Sequence, residues 1–260
     1  MIIQTNGYTP TFLPSPEEHE ITMFNDLVKL DRSNLICIAA RPEMGKTSLA
    51  LHMTLEYASK SDKTVYIFSN ELTAEQVYAR MLCYLAKVDL YNMRRKEFSK
   101  QELERLAKAT KALQKLNIII NDESRLTVTQ IEENIQHIDD LGVVVIDYLQ
   151  LITPDELREK RTQEIGDISH SLKILAIKKN IPIVILSQLG REIEHRNDKH
   201  PTLGDLVRMV GSAEADSDTI IFIYRDSYYN VIGDTEDYTE TEIHIAKNRF
   251  GSVGTLRYKW

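Results

Sequence analysis

One short passage constrains this chain more than any other. The apolar run Leu35-Ile36-Cys37-Ile38-Ala39-Ala40 leads into Arg41-Pro42-Glu43-Met44-Gly45-Lys46-Thr47, and a helical stretch from Thr47 to Ser59 follows. Residues 40–47 match the pattern GxxxxGK[ST], with Ala40 where the pattern has its first glycine. Strand, loop and helix are the context the motif requires: loop N–H groups and the helix N-terminus surround phosphates, a lysine reaches the β and γ groups, and a hydroxyl meets Mg²⁺. The candidate nucleotide ligands are therefore Arg41, Pro42, Glu43, Met44, Gly45, Lys46, Thr47 and Ser48, with Thr47 on the metal and ATP and Mg²⁺ as cofactors. The competing reading, a chance loop holding a lysine, does not explain why strand and helix sit on either side. Alanine at position 40 bears only on the first turn.

The remaining pattern agrees with an α/β fold built on a mainly parallel central sheet flanked by helices. Val65 to Ser69, Asn117 to Ile120, Val143 to Ile146, Ile183 to Leu186 and Thr219 to Ile223 are mostly uninterrupted apolar runs, as strands buried on both faces require. Between them, Ala74 to Ala86 reads as a helix, and Ile165, Ile168, Leu172 and Leu175 mark one face of another that ends before Pro182. The charged stretch Lys96 to Leu116 reads as a solvent-facing helix. Asp226 to Glu242 holds six acids and no Lys or Arg, whereas Lys247 to Trp260 holds Lys247, Arg249, Arg257 and Lys259 and no acid. That contrast predicts a surface excursion followed by a C-terminal β-hairpin bearing positive groups. Residues 1–20, with Gly7, Pro10, Pro14 and Pro16 and no periodicity, read as an arm or linker, and residues 21–260 as one domain.

Several classes are set aside. No apolar run approaches the ~20 residues of a spanning helix, and the first residues lack the basic and apolar regions of a secretory signal, so the expectation is a cytoplasmic protein away from membranes. Cys37 and Cys83 have neither disulfide-framework nor zinc spacing. With 32 Lys+Arg against 39 Asp+Glu the net charge is −7, so any nucleic-acid contact must use a local basic surface.

Three further residues stand where chemistry is done in such a fold. Asp147 closes the strand Val143 to Ile146 with a carboxylate, which at the carboxyl edge of a parallel sheet can hold Mg²⁺ or its waters. Glu71 follows the strand Val65 to Ser69 and is placed for a general base, although an acid at a helix N-terminus is also favoured by the dipole alone. Gln188, after Ile183 to Ser187, can sense a γ-phosphate or orient water, but a lone glutamine says little by itself.

Five stretches together make the chain recognisable: AARPEMGKTSLAL at 39–51, FSNELTAEQ at 68–76, VVVIDYLQLI at 143–152, ILSQLGREIEHRNDKHP at 185–201, and GSAEADSDTIIFIYRD with AKNRFGSVGT at 211–226 and 246–255. The chain resembles the C-terminal RecA-like ATPase domain of DnaB-type replicative DNA helicases, over about residues 35–258. The resemblance implies that Lys46 and Thr47 meet phosphate and magnesium, Glu71 is the catalytic base, Asp147 the Walker B carboxylate and Gln188 the γ-phosphate sensor. It further implies that Lys247 and Arg249 reach across a subunit boundary to a neighbour's γ-phosphate, although solvated hairpin charges are the plain reading of those residues alone. A homo-hexameric ring, single-stranded DNA, and a primase and helicase loader follow as partners of the same resemblance, as does 5′ to 3′ movement.

The chain departs from the family pattern in three places. A collar domain before the ATPase domain is not seen, leaving the short arm. Thr22 to Leu27 stands where the family has a longer Gly-containing turn, and the DNA-facing loop is Asp205-Leu206-Val207-Arg208-Met209-Val210-Gly211-Ser212, with Met209 and Val210 in place of acidic and serine positions. The leading expectation is an ATP-driven ring that moves on single-stranded DNA and unwinds duplex. In it Arg208 and the N–H groups of Met209, Val210, Gly211 and Ser212 follow the phosphate backbone. A structural turn packed on a neighbour is the other reading of that loop. Two alternatives stand beside the helicase: a RecA-like recombinase or clock-type ATPase, and an assembly protein that uses ATP to join or load a host helicase.

Overall fold

The computed structural model describes residues 30, 33–229 and 240–259. The 1–20 arm, the Thr22 to Leu27 segment and positions 230–239 of the acidic excursion lie outside the described residues. Eight strands form one sheet: β1 (Leu35–Ala40), β2 (Thr64–Ser69), β3 (Ile118–Asn121), β4 (Leu141–Asp147), β5 (Ile183–Gln188), β6 (Thr219–Arg225), β7 (Glu240–Asn248) and β8 (Gly254–Lys259), in the order β3-β2-β4-β5-β1-β6-β7-β8. The first six in that order run parallel, and β7 and β8 add an antiparallel C-terminal hairpin on β6.

The parallel strands are apolar on both faces because both are covered. Ile36, Ile38 and Ala40 of β1 face one core with α1 (Lys46–Lys60) and α2 (Ala74–Ala86), while Leu35, Cys37 and Ala39 face the other with α5 (Val128–Ile135), α6 (Arg161–Lys179) and α7 (Leu203–Val210). Both cysteines are buried. Each large side chain held fully inside, such as Phe68 and Phe222, contributes about 1.5–3 kcal/mol of transfer free energy.

The charged stretch after residue 96 is only partly as its composition predicts. A Ser99–Glu102 capping box starts α4 (Lys100–Leu113) later, and Leu106, Ala109 and Leu113 are buried, so one face packs inward while Leu103 stays exposed. Helices α3 (Leu90–Arg95) and α5 have no counterpart in the sequence reading. Both are short, and helices of six and eight residues offer fewer than three turns of periodicity to detect.

Helix α7 is followed at once by α8 (Ala213–Asp216), and Gly211 makes the corner with φ +55°. Its N–H donates to Val207 O at 3.0 Å, and a Cβ there would lie 2.8 Å from the Thr162 carbonyl oxygen of α6. Gly211→Ala is therefore expected to cost roughly 1–3 kcal/mol in urea unfolding, from both strain and close approach. Gly254→Ala, where a Cβ meets nothing within 4 Å, should stay within about 0.5 kcal/mol of the unchanged protein.

Candidate functional site

The parallel register brings the sequence's candidate residues to one edge. Ala40 is level with Gln188, and Ser69 with Asp147, so the loop after β1, the bend after β2 and the ends of β4 and β5 converge at the carboxyl edge of the sheet. Ligands of open parallel sheets bind at such an edge. Ala40 itself is the last residue of β1 and fully buried, and the left-handed conformations of the loop fall on Glu43 (φ 63°) and Gly45 (φ 99°). An alanine at position 40 therefore meets no backbone demand for glycine.

Within the loop the side chains go to different places. Met44 is buried in the core, Glu43 points to solvent, and Pro42, Gly45 and Ser48 are half-buried. The Arg41 guanidinium turns inward: Nε and Nη2 donate to Glu194 Oε1 at 2.9 and 2.6 Å, and Nη1 donates to Leu189 O at 2.7 Å. Its charge is thus committed to a wall of the site, which leaves Lys46 as the loop cation facing the phosphate position. Lys46 Nζ donates to Ala40 O (3.2 Å) and Arg41 O (3.0 Å). Burial lowers its pKa to about 8 against the opposing pull of Asp147 and Glu71.

Thr47 Oγ1 donates to Asp147 Oδ2 at 2.8 Å across the gap between α1 and β4. Burial raises the Asp147 carboxyl, the Thr47 bond lowers it, Glu71 raises it again, and Lys46 and Arg80 lower it. Glu71 is exposed in the bend that follows β2, where Ser69 Oγ donates to Leu72 O (2.7 Å) and Asn70 N–H to Asp147 O (2.8 Å). Gln188 continues the Val184–Leu186 side of β5, on which α1 packs. Gln150 clamps that strand end: its Nε2 donates to Ser187 Oγ (3.0 Å) and Gln188 O (2.9 Å), and its Oε1 accepts from Gln188 N–H (3.2 Å). Lys46, Thr47, Glu71, Asp147 and Gln188 therefore share one edge.

Lys247 and Arg249 do not join them. Ile36 of β1 is level with Thr219 of β6, which faces Asn248 of β7, so both cations sit at the amino edge of the sheet. Four residues of strand separate that level from Ala40, roughly 13 Å at ~3.3 Å per residue, before the loop begins. These groups lie too far along the sheet to reach their own subunit's loop.

The segment expected to be a DNA-facing loop is helical, which corrects that expectation. Arg208, Met209 and Val210 belong to α7, Val210 is fully buried, and Met209 packs against the second core. The Met209 and Val210 N–H groups are inside a hydrogen-bonded helix, Gly211 N–H is taken by Val207 O, and Ser212 Oγ donates to Gly166 O at 3.3 Å. Two hydrophobic side chains replace polar positions because they complete the core beneath α7. Arg208 remains exposed, with no ion pair among the described residues.

Sequence reading passed over Arg80, Gln150 and an aromatic group. Tyr224 lies near the end of β6 and stacks with Tyr229 at 5.9 Å, Tyr228 meets Tyr229 edge-on at 5.1 Å, and His200 lies 3.9 Å from Tyr224. Burial raises the Tyr229 phenol, Glu194 adds to that and Arg41 opposes it, and the ring packs against the core that includes Ala40 and Met44. The Tyr-Tyr pair after an apolar strand was the available signal. Among the described residues no three His, Cys, Asp or Glu side chains cluster as a metal cage, and no helix is long and apolar enough to cross a membrane.

A family model described as the DnaB-like helicase C terminal domain matches residues 21–260. The chain is 41% identical over 230 residues to the replicative DNA helicase DnaB of Geobacillus stearothermophilus, covering 87% of this chain and 50% of that protein. It is also 41% identical over 249 residues to the replicative DNA helicase DnaB of Haemophilus influenzae, covering 92% and 53%. It therefore spans about half the length of these curated relatives. Among solved structures, one described as an ATPase domain superposes with TM-score 0.84 at 32% identity, covering 92% of this chain and 86% of that one. A DnaB-like replicative helicase described with its interactions with primase also gives TM-score 0.84 at 32% identity, covering 91% of this chain and 57% of that one.

The lowered Lys46 pKa sets a pH dependence. A phosphate beside Nζ favours the charged amine, so nucleotide binding takes up a proton once the free subunit has lost it. Affinity should be flat at neutral pH and below, and fall as pH rises through about 8, by up to ~tenfold per pH unit. Titration calorimetry in two buffers of different ionisation enthalpy should show proton uptake only on the alkaline side, and a profile that stays flat through that range would contradict the assignment.

Proposed function

The chain belongs to the DnaB-like helicase C-terminal domain family, and from that premise we propose that it is the ATPase motor domain of a replicative DNA helicase. It works as a homo-hexameric ring that hydrolyses ATP at subunit boundaries, moves on single-stranded DNA and unwinds duplex in the cytoplasm. The observation that supports this most directly is the division of charged groups between two edges. Lys46, Thr47, Glu71, Asp147 and Gln188 are at one edge, and Lys247 and Arg249 are at the other. A subunit with acceptor chemistry at one edge and donor cations at the other forms head-to-tail contacts, which close into rings when the rotation permits.

In this reading Lys46 leaves the carbonyls of Ala40 and Arg41 for the β and γ phosphates, and loop N–H groups from Arg41 to Ser48 surround them. Thr47 Oγ1 and Asp147 Oδ2, two hard oxygens already together, suit a Mg²⁺ ion that keeps its waters and phosphate ligands, and the ion when bound offsets phosphoryl charge. Glu71 accepts the proton of the attacking water, and Gln188 orients that water against the γ-phosphate. Arg249 and Lys247 of the adjoining copy stabilise the charge that develops there. The Tyr228–Tyr229 group offers a stacking surface for the base. Arg208 on α7 follows the DNA backbone, one cation per subunit being repeated around the ring, and a primase and a helicase loader are the protein partners.

Arg249→Ala should leave nucleotide affinity of separate subunits unchanged and lower ring turnover by ~10³ or more. Mixing it with Glu71→Gln subunits should restore turnover at boundaries that pair an intact Glu71 with an intact Arg249. No recovery in mixtures shown to exchange subunits would rule out action across the boundary. Arg208→Ala should weaken single-strand affinity without sequence preference and make the salt slope shallower by about 0.7 per lost phosphate contact. An unchanged slope in a verified ring would remove Arg208 from the DNA path.

A further inference from the structure

The donor cations of the hairpin are anchored by a carboxylate that none of the motif readings uses. Asp218, which immediately precedes β6, is 1% exposed. Its side chain accepts from Leu35 N–H (2.9 Å), Lys173 Nζ (2.6 Å) and Arg249 Nη1 (3.1 Å). Its backbone bonds two of these residues again: Asp218 N–H donates to Leu35 O at 2.8 Å, and Arg249 N–H donates to Asp218 O at 2.9 Å. Beside it the carbonyls of α8 complete the anchorage, since Arg249 Nη2 donates to Ala215 O (3.0 Å) and Lys247 Nζ to Glu214 O (2.6 Å). The Arg249 side chain nevertheless stays 48% exposed.

We propose that Asp218 is the positioning residue for the arginine finger, holding one edge of the Arg249 guanidinium so that the other is presented to the adjoining subunit. This rests on the reading of Arg249 as a group acting across the boundary, and it adds the device that aims it. A long, flexible arginine loses its effect when misplaced by about 1 Å, for which losses on the order of 10²-fold are typical. A rigid anchor at the base of the hairpin prevents that. Lys173 matters to the arrangement because it shares the carboxylate. With two cations on one buried acid, Arg249 reaches Asp218 through Nη1 alone while Nη2 rests on the neutral Ala215 carbonyl, so that neutral bond can be exchanged for a neighbour's phosphate and Asp218 keeps its charged partners.

The test uses rings of Asp218→Asn, which keeps the shape and removes the charge. Nucleotide affinity of separate subunits should be unchanged, and ring turnover should fall on the order of 10²-fold. Mixing with Glu71→Gln subunits should restore turnover, because the boundary that joins Glu71 of the first to the intact Asp218–Arg249 pair of the second is whole. A role confined to folding damages the subunit that carries the change, so absence of recovery overturns the proposal. The Arg249→Ala and Glu71→Gln mixture is run alongside: failure there overturns action across the boundary itself, whereas recovery there with none for Asp218→Asn overturns only the anchor. If Asp218→Asn does not fold by circular dichroism, Lys173→Gln is measured instead. It leaves Arg249 the sole cation on Asp218, and should lower turnover in a way that mixing restores. Unchanged turnover, or loss that mixing does not repair, overturns the proposal.

Discussion

The parallel register of the sheet is the constraint on which the rest of this structure depends. Thr47 meets Asp147 because β4 ends level with β2 and one strand away from β5, whose own end is level with Ala40. A slip of one residue in β4 would turn Asp147 from the α1 face to the opposite face and break that contact. The register is held by side chains that alternate between two filled cores, so an apolar pattern with no chemistry of its own decides where the carboxylate stands. Bulges occur on the amino side of β2 and β6, and the paired residues run unbroken to the carboxyl edge that carries the site.

Every cation assigned to phosphate chemistry is already occupied within its own subunit. Lys46 rests on two loop carbonyls, Lys247 on the carbonyl end of α8, and Arg249 on Asp218 and Ala215. In the proposed function ligand binding therefore exchanges existing hydrogen bonds, to neutral carbonyls for Lys46 and Lys247 and already charge-assisted for Arg249 on Asp218, rather than filling empty valences. That exchange costs less for Lys46 and Lys247, whose hydrogen-bond partners are neutral carbonyls and whose charge burial disfavours, than for Arg249 on its carboxylate. Arg41 is the opposite case. Buried with Glu194 and Leu189 O, it has full satisfaction and little to gain from moving, so its contribution is to fix the wall between the loop and the Arg191–His195 turn.

How much of this was legible in the sequence follows from how local each signal is. The strands and α1 were readable because uninterrupted apolar runs and GxxxxGK[ST] are contiguous features, and the edge position of Asp147, Gln188 and Glu71 follows from the first two closing a strand and the third following one by two residues. The helix over Leu203–Val210 was not, because Met209 and Val210 stand at positions of a loop pattern and their burial is decided by α6 and the sheet beneath. Position alone places Arg41 in the loop and says nothing of where its side chain goes. Its partner Glu194 is 153 residues away and can be found only in three dimensions. Asp218 is hidden for the same reason, since an acid before a strand is common and its meaning comes from Lys173 and Arg249.

A net charge of −7 and a DNA-tracking motor are compatible only if cations are placed rather than numerous. The described residues show that economy, with many basic groups tied into pairs such as Arg158–Asp167, Lys178–Glu132 and Arg196–Asp205, while Arg208 projects from α7 without one. Helix α7 ends at Val210, and Gly211 turns the chain into α8, whose carbonyls hold Lys247 and Arg249. Arg208, proposed for the polynucleotide, and the carbonyls that hold Lys247 and Arg249 are thus only a few residues apart along the chain, with Gly211 at the corner between them.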